Sequence, residues 1–330
     1  MRTTLISAKG NRPWQGIPAI ERSPSGRLWC AFYSGGPREP HPDNHLLLTS
    51  SGDDGATWSP PQVVVDPPPP TRAFDPALWI DPGGRLWLIY NLADTETRSY
   101  TLWAMVAPNP DSAAPTWEPP KPLDTGAPFA FRLNKPIVLS SGEWLLPVTW
   151  SREASPEWPL LAGQLQGVAI SADQGQTWLL RGEVEAPPWA LENMVVELRD
   201  ARLWMLIRTG SGVLWQSFSE DGGERWSDGD SAGIVNPGSR FYIGRLRSGR
   251  LLLINTPDAK RRRRLCAYLS DRRDETTFVG ELELDERERV SYPDAVQSPD
   301  GTIYAVHDCD RSGTGEVLLS AFHEGEITQR

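Results

Sequence analysis

The sequence predicts an all-β chain folded as a six-bladed β-propeller of four-stranded blades. Three observations lead there. An eight-residue turn pattern recurs three times, six strand–turn–strand units follow one another from end to end, and the composition favours strands over helices. Fifteen tryptophans and thirty-one prolines in 330 residues, with few long Ala/Leu/Glu/Lys runs, describe short strands joined by many turns.

The turn pattern is Ser-x-Asp-x-Gly-x-Thr-Trp. It runs from Ser51 to Trp58, from Ser171 to Trp178 and from Ser219 to Trp226, the last with Arg225 in place of threonine. A worn copy spans Ser270 to Phe278. In the second copy Asp173 is placed to accept bonds from backbone N–H groups, Gly175 supplies a left-handed residue, and Trp178 anchors the loop on the core.

Each of the six units is an apolar strand, a short turn usually ending in Gly-Arg, and a second apolar strand. Inner strands are expected near residues 14–20, 74–80, 134–139, 193–198, 240–246 and 291–296. Their starts lie 47 to 60 residues apart, the period of a propeller blade rather than of a helical solenoid. A third strand follows each hairpin, as at residues 45–49 and 167–170, and the recurring turn joins it to a fourth. Radial closure leaves few free edges. The N-terminal residues 3–7 are expected to complete the last blade beside residues 316–322, tying the ring shut. Residues 281–289 are the one helix-compatible run, and they read as a blade's outer strand and loop. The proline groups at 67–70, 119–120 and 187–188 are stiff crossovers between blades, so residues 1–330 read as one domain.

Bulk properties exclude several classes. A formal net charge of −10 argues against general affinity for nucleic acid or anionic membranes. Cys30, Cys266 and Cys309 show neither a disulfide framework nor metal-ligand spacing, and no cofactor or metal is called for. No apolar stretch approaches the ~20 residues needed to cross a bilayer. The N-terminus lacks the apolar run of a signal peptide, so a soluble, cytoplasmic protein is the expectation. The basic run from Lys260 to Arg264 reads either as a solvated hairpin loop or as the source of one arginine for a central site.

In a propeller the inner strands converge, and their leading ends line one pocket. Gln15, Arg72, Asp75, Arg132, Lys135, Glu192, Arg240, Tyr292 and Asp294 all fall at or just before such ends. Buried charge is costly unless paired, so charges at equivalent places in different blades point to a polar cavity with an anionic ligand. For Arg72 and Asp75, held by Pro70 and Pro76, a substrate contact and an inter-blade ion pair are equal readings.

The recurring turn closely resembles the Asp-box of the sialidase superfamily of BNR-repeat proteins, and the resemblance covers nearly the whole chain. It implies that the Asp-box turns are structural and lie away from the active site. In sialidases a tyrosine near the last inner strand is the nucleophile and a glutamate polarises it. Ser291-Tyr292-Pro293-Asp294 stands in that place, and Glu192 resembles the glutamate. The pairing makes chemical sense, because a phenol of pKa ~10 is a poor nucleophile until a carboxylate takes its proton. Without the resemblance Tyr292 is an ordinary strand aromatic, and Glu197 is a rival to Glu192. Asp43, in the first blade's loop, matches the loop of the sialidase general acid. It also reads as a turn aspartate, with His41 and His45 as alternative proton donors.

Arg208 resembles one of three arginines that grip the sialic-acid carboxylate. A further one is expected from the run 261–264, with Arg263 as the candidate, or from Arg240. One departure stands out. The family's Arg-Ile-Pro is here Gly16-Ile17-Pro18, so a bidentate contact to the carboxylate is missing from that place.

The resemblance thus implies a sialidase-like exo-glycosidase releasing a terminal acidic sugar from a glycan, altered from a true sialidase at Gly16. Two other readings stay open. One is a uronate-specific polysaccharide lyase, with Tyr292 and His45 as base and acid and Arg208 and Arg240 neutralising the carboxylate. The other is a non-catalytic glycan-binding propeller in which the missing arginine marks lost chemistry.

Overall fold

The computed structural model describes residues 1–97, 99–127, 129–131, 134–152 and 164–328. Six antiparallel sheets stand around one axis, and each packs against its two neighbours. The inner strands are Gln15–Arg22, Thr71–Ile80, Leu191–Glu197, Tyr242–Arg245 and Val290–Gln297, with the third blade's split into Phe129–Phe131 and Ile137–Val138. The split departs from the single strand expected near 134–139. Pro136 has no N–H to give to a ladder, so pairing there begins only at Ile137.

The ring closes as the sequence predicts. Strand Arg2–Ala8 pairs antiparallel with Glu316–His323, from Arg2 opposite Ala321 to Ala8 opposite Glu316. The sixth blade is therefore built from both ends of the chain. Residues 281–289 are not helical; strand Phe278–Glu288 forms the outer edge of the fifth blade.

The Asp-box turns form by local chemistry. In the second copy Ser171 Oγ donates to Asp173 at 2.8 Å, and Asp173 accepts from the Thr177 N–H at 2.9 Å and the Thr177 hydroxyl at 2.6 Å. Asp53 repeats these bonds in the first copy, and Asp221 keeps the backbone bond to Arg225 N–H at 2.8 Å. These donors favour the ionised carboxylate and pull Asp53 and Asp173 down to about 2. Gly175 has φ +84°, and a Cβ there would meet the Trp144 and Trp87 rings at 2.8 and 2.9 Å. Tryptophans also fill the space between blades: Trp144 meets Trp79 and Trp87 edge-on, with centroids 4.7 and 5.8 Å apart.

Near the axis the inner strands share a buried cation. The Lys135 ammonium lies 3.1 Å from Asp294 and 3.7 Å from Glu21, and donates to the carbonyls of Ile20 at 2.8 Å and Ala295 at 3.3 Å. Asp294 also accepts the Ile20 N–H at 2.8 Å. Three blades are joined by this one set of contacts. Burial disfavours the charged amine, but Asp294 and Glu21 outweigh it and raise Lys135 above its ordinary value.

Replacing Lys135 by methionine would leave two carboxylates buried without their cation. The expected loss is about 3–5 kcal/mol of stability, read as the shift of the urea unfolding midpoint.

Candidate active site

Among the described residues, four inner strands carry the same irregularity. Two residues oppose one across the ladder: Ile17-Pro18 faces Phe32, Asp75-Pro76 faces Tyr90, Glu192-Asn193 faces Ile207, and Tyr292-Pro293 faces His307. The first residue of each pair is left-handed, with φ of 59° at Ile17, 47° at Asp75, 53° at Glu192 and 55° at Tyr292. Such backbone is strained for a bulky side chain, and a bulge re-aims the residue it holds. Glu192 and Tyr292, 100 positions apart in sequence, therefore occupy equivalent places in the fourth and sixth blades.

These two side chains meet through Arg208, which ends strand Leu203–Arg208 of the fourth blade. One of its nitrogens, Nη1, donates to Glu192 Oε2 at 2.6 Å and to the Tyr292 hydroxyl at 2.8 Å. Arg240 stands on the other side of Glu192, its Nε 3.8 Å from Oε1. The guanidinium carbons of Arg311, Arg240, Arg262 and Arg208 lie 4.2, 4.9, 5.3 and 5.8 Å from the Tyr292 ring centre. Four cations thus surround one phenol.

Charge balance among them is incomplete. Arg208 pairs with Glu192, and Arg311 pairs with Asp308 and Glu39, each at 2.8 Å. Arg262 donates to the Gly238 carbonyl at 3.2 Å and has no carboxylate partner among the described residues. Buried Nε and Nη2 of Arg240 likewise have no hydrogen-bond partner among them. Donors left over in this way can be met by an anion.

The two central groups are pushed apart in acidity. Burial alone would raise Glu192, but the charges of Arg208 and Arg240 prevail and hold it below the usual carboxylate value. Burial raises the Tyr292 phenol above its ordinary value, and Arg208 offsets this only in part. At neutral pH the site therefore holds a carboxylate beside a protonated phenol.

The remaining sequence candidates are placed as follows. Of the basic run it is Arg262, not Arg263, that faces Tyr292. Arg263 turns out to pair with Asp258 at 2.7 Å, and Arg264 pairs with Glu281 and Glu283. Gln15 is buried but committed elsewhere: its amide donates to the Ser7 carbonyl at 3.0 Å and the Gly315 carbonyl at 2.5 Å. It ties the first blade to the closing strand pair. Glu197 bonds Ser140 at the far end of its strand, which removes it as a rival to Glu192. Arg72 is buried with its guanidinium 3.7 Å above the Phe74 ring, in the field of Glu39 and Asp75. Asp75 holds the second blade's bulge position. Asp43 is exposed and bonded within its own loop, with His41 Nδ1 at 3.5 Å, and His45 Nδ1 meets the Asp43 carbonyl at 3.0 Å. Arg132 lies outside the described residues.

Sequence reasoning missed Arg311 and Glu39. Neither sits at the leading end of an inner strand. The X-Pro pairs at Ile17, Asp75 and Tyr292 were a usable signal for the bulges, because proline inside a strand marks such a break. A groove lined by Trp87, Lys121 and Trp178 lies beside an Asp-box, and none of these arginines lines it.

Residues 26–305 match the family model described as the BNR repeat-like domain. No match was found among curated proteins. Solved structures agree on the fold. A protein of unknown function from Dyadobacter fermentans is 18% identical, with 97% of each chain covered and a TM-score of 0.79. The intramolecular trans-sialidase from Ruminococcus gnavus is 14% identical over 99% of this chain and 98% of its own, with a TM-score of 0.77. The leech intramolecular trans-sialidase is 15% identical over 99% and 71%, with a TM-score of 0.79.

Two substitutions should act in opposite directions on stability. Arg208→Met strands the buried Glu192 carboxylate, with an expected loss of about 3–5 kcal/mol, whereas Arg262→Met removes an uncompensated cation and should leave the unfolding midpoint equal or higher. The lowered Glu192 contributes stability above the ordinary carboxylate range, lost as pH falls through its folded value. Denaturation at a series of pH values should show a shallower acid-side decline in Glu192→Gln.

Proposed function

This chain belongs to the BNR repeat-like domain family, and from that premise we propose that it is a sialidase-like exo-glycosidase acting on a terminal acidic sugar. The observation that carries the reading is the Tyr292 hydroxyl held at 2.8 Å by the same Arg208 nitrogen that pairs with Glu192. A tyrosine nucleophile is unusual among glycosidases, where a second carboxylate is the rule. Its advantage is charge. A neutral phenol can approach the anomeric carbon of a sugar that carries its own carboxylate, where an aspartate or glutamate would be repelled.

In this reading the substrate carboxylate enters the arginine cluster and takes up the donors left over on Arg240 and Arg262. Tyr292 Oη attacks the anomeric carbon as its proton passes to Glu192. The leaving oxygen takes a proton from the first-blade loop, and water then releases the sugar from the tyrosine. Because Glu192 is a weak base and Tyr292 a weak acid, the proton has to move as the carbon–oxygen bond forms rather than beforehand. Asp43 is the candidate acid, being the exposed carboxylate of that loop, while Glu39 is engaged with Arg311. The β-elimination reading would use the same tyrosine with His45, whose Nδ1 meets the Asp43 carbonyl at 3.0 Å; His307, opposite the Tyr292 bulge, is bonded to Asp285 at 3.0 Å.

The test is turnover on sialyllactose and on α- and β-glucuronides, followed by reducing-sugar release and ultraviolet absorbance together. The expected result is sugar release without new absorbance, reduced at least a hundredfold in Tyr292→Phe. Asp43→Asn should be slow on natural glycosides yet near normal on aryl glycosides, whose leaving groups need no proton. New absorbance on cleavage would replace the hydrolase with the lyase, and glycan binding without cleavage would replace it with the binding propeller.

A further inference from the structure

Gly16 and Arg311 compete for one volume. A Cβ at Gly16 would lie 2.8 Å from Arg311 Cγ, 2.9 Å from its Cδ and 2.9 Å from Asp308 Oδ2. Side-chain carbons do not approach so closely, so a larger residue at 16 and the present path of Arg311 exclude each other. The backbone does not ask for glycine there, since Gly16 is not among the left-handed residues. Space is the reason, and Arg311 takes most of it, with the Asp308 carboxylate at its edge.

Arg311 follows strand Thr302–Cys309 and folds back over the inner strands. Its Nε donates to Asp308 at 2.8 Å, Nη1 to Glu39 at 2.8 Å, and Nη2 to Ser291 Oγ at 3.2 Å. These three bonds fix the plane of the guanidinium. Two of its five N–H groups are left, and the group lies nearer the Tyr292 ring than any of the other three arginines.

We propose that Arg311 is a specificity-determining residue that completes the anion site from the sixth blade, through the opening that Gly16 provides. The inference rests on the reading of the site as an acidic-sugar pocket and deepens it. Gly16 is then the condition for a relocated contact rather than the mark of a lost one. Glu39 belongs to the loop that carries Asp43, so the same guanidinium also ties the carboxylate site to the segment proposed to supply the proton.

The experiment compares the full chain with Arg311→Ala, Arg311→Lys, Gly16→Arg and the double variant Gly16→Arg/Arg311→Ala. Calorimetry would follow binding of 2-deoxy-2,3-didehydro-N-acetylneuraminic acid and of its methyl ester, with unfolding midpoints recorded for each protein. Arg311→Ala and Gly16→Arg should each weaken binding of the acid by about tenfold or more and leave the ester unchanged. The double variant should regain most of that loss, because an arginine at 16 then enters the volume that Arg311 has vacated, the Asp308 carboxylate turning aside once Arg311 no longer holds it. Arg311→Lys keeps the charge without the fork and should fall between. Equal losses for acid and ester, or a double variant no better than the single ones, would overturn the proposal and leave Arg311 as a tie between Glu39 and Asp308. Acid binding that depends on Arg311 in a protein without turnover would count against the glycosidase reading alone.

Discussion

Lys135 sets its ammonium group among two carboxylates and two carbonyls that belong to the inner strands of the first and sixth blades. A propeller has its narrowest cross-section there, and every polar group brought to it needs a partner. The ammonium supplies one for several groups at once, contributed from positions as distant in sequence as Glu21 and Asp294. Only with those strands held together can the bulges next to them keep their strained residues. Asp294 lies two positions after Tyr292, and Ile20 three after Ile17, so the structural contacts and the site are parts of the same short segments.

The repeated bulge explains how a repetitive fold acquires an asymmetric site. Four blades present one side chain at the same place, yet the sequence puts an isoleucine, an aspartate, a glutamate and a tyrosine there. Geometry is shared and chemistry is not. The left-handed backbone at these residues costs of order 1–3 kcal/mol each, and it persists because flanking ladder bonds, and in three cases a following proline, over-determine it. The strain fixes Glu192 and Tyr292 before any ligand arrives.

Electrostatics then separates their roles. Guanidinium charge keeps the Glu192 carboxylate ionised despite its burial, while burial keeps Tyr292 protonated despite the same charges. The two outcomes differ because the carboxylate has direct ion pairs, whereas the phenol accepts one hydrogen bond and lies beside its other arginines. An incoming anion would use the cations that neither group neutralises. Arg262 is the clearest of these, half-buried against the Tyr292 ring with only a carbonyl to bond among the described residues.

Much of this was legible in the chain. The Asp-box turns are decided within eight residues, by hydrogen bonds from Ser and Thr to one aspartate, and they appear as written. Strand spacing indicated the six blades, and residues 3–7, set beside residues 316–322, indicated the closing strand. Tyr292, Glu192 and Arg240 were visible because each lies at or beside a leading end that convergence brings to the axis, and Arg208 through the family resemblance. What tertiary structure alone decided is which side chains from outside those ends reach the same point. Four consecutive arginines look alike in sequence, but only Arg262 faces inward, since Asp258 holds Arg263 and the carboxylates of the neighbouring strand hold Arg264. Gly16 read as a missing arginine until Arg311, 295 positions later, was found occupying its space. No local rule links residues so far apart. Their meeting depends on where ring closure puts the sixth blade against the first, and on the volume left open where they touch.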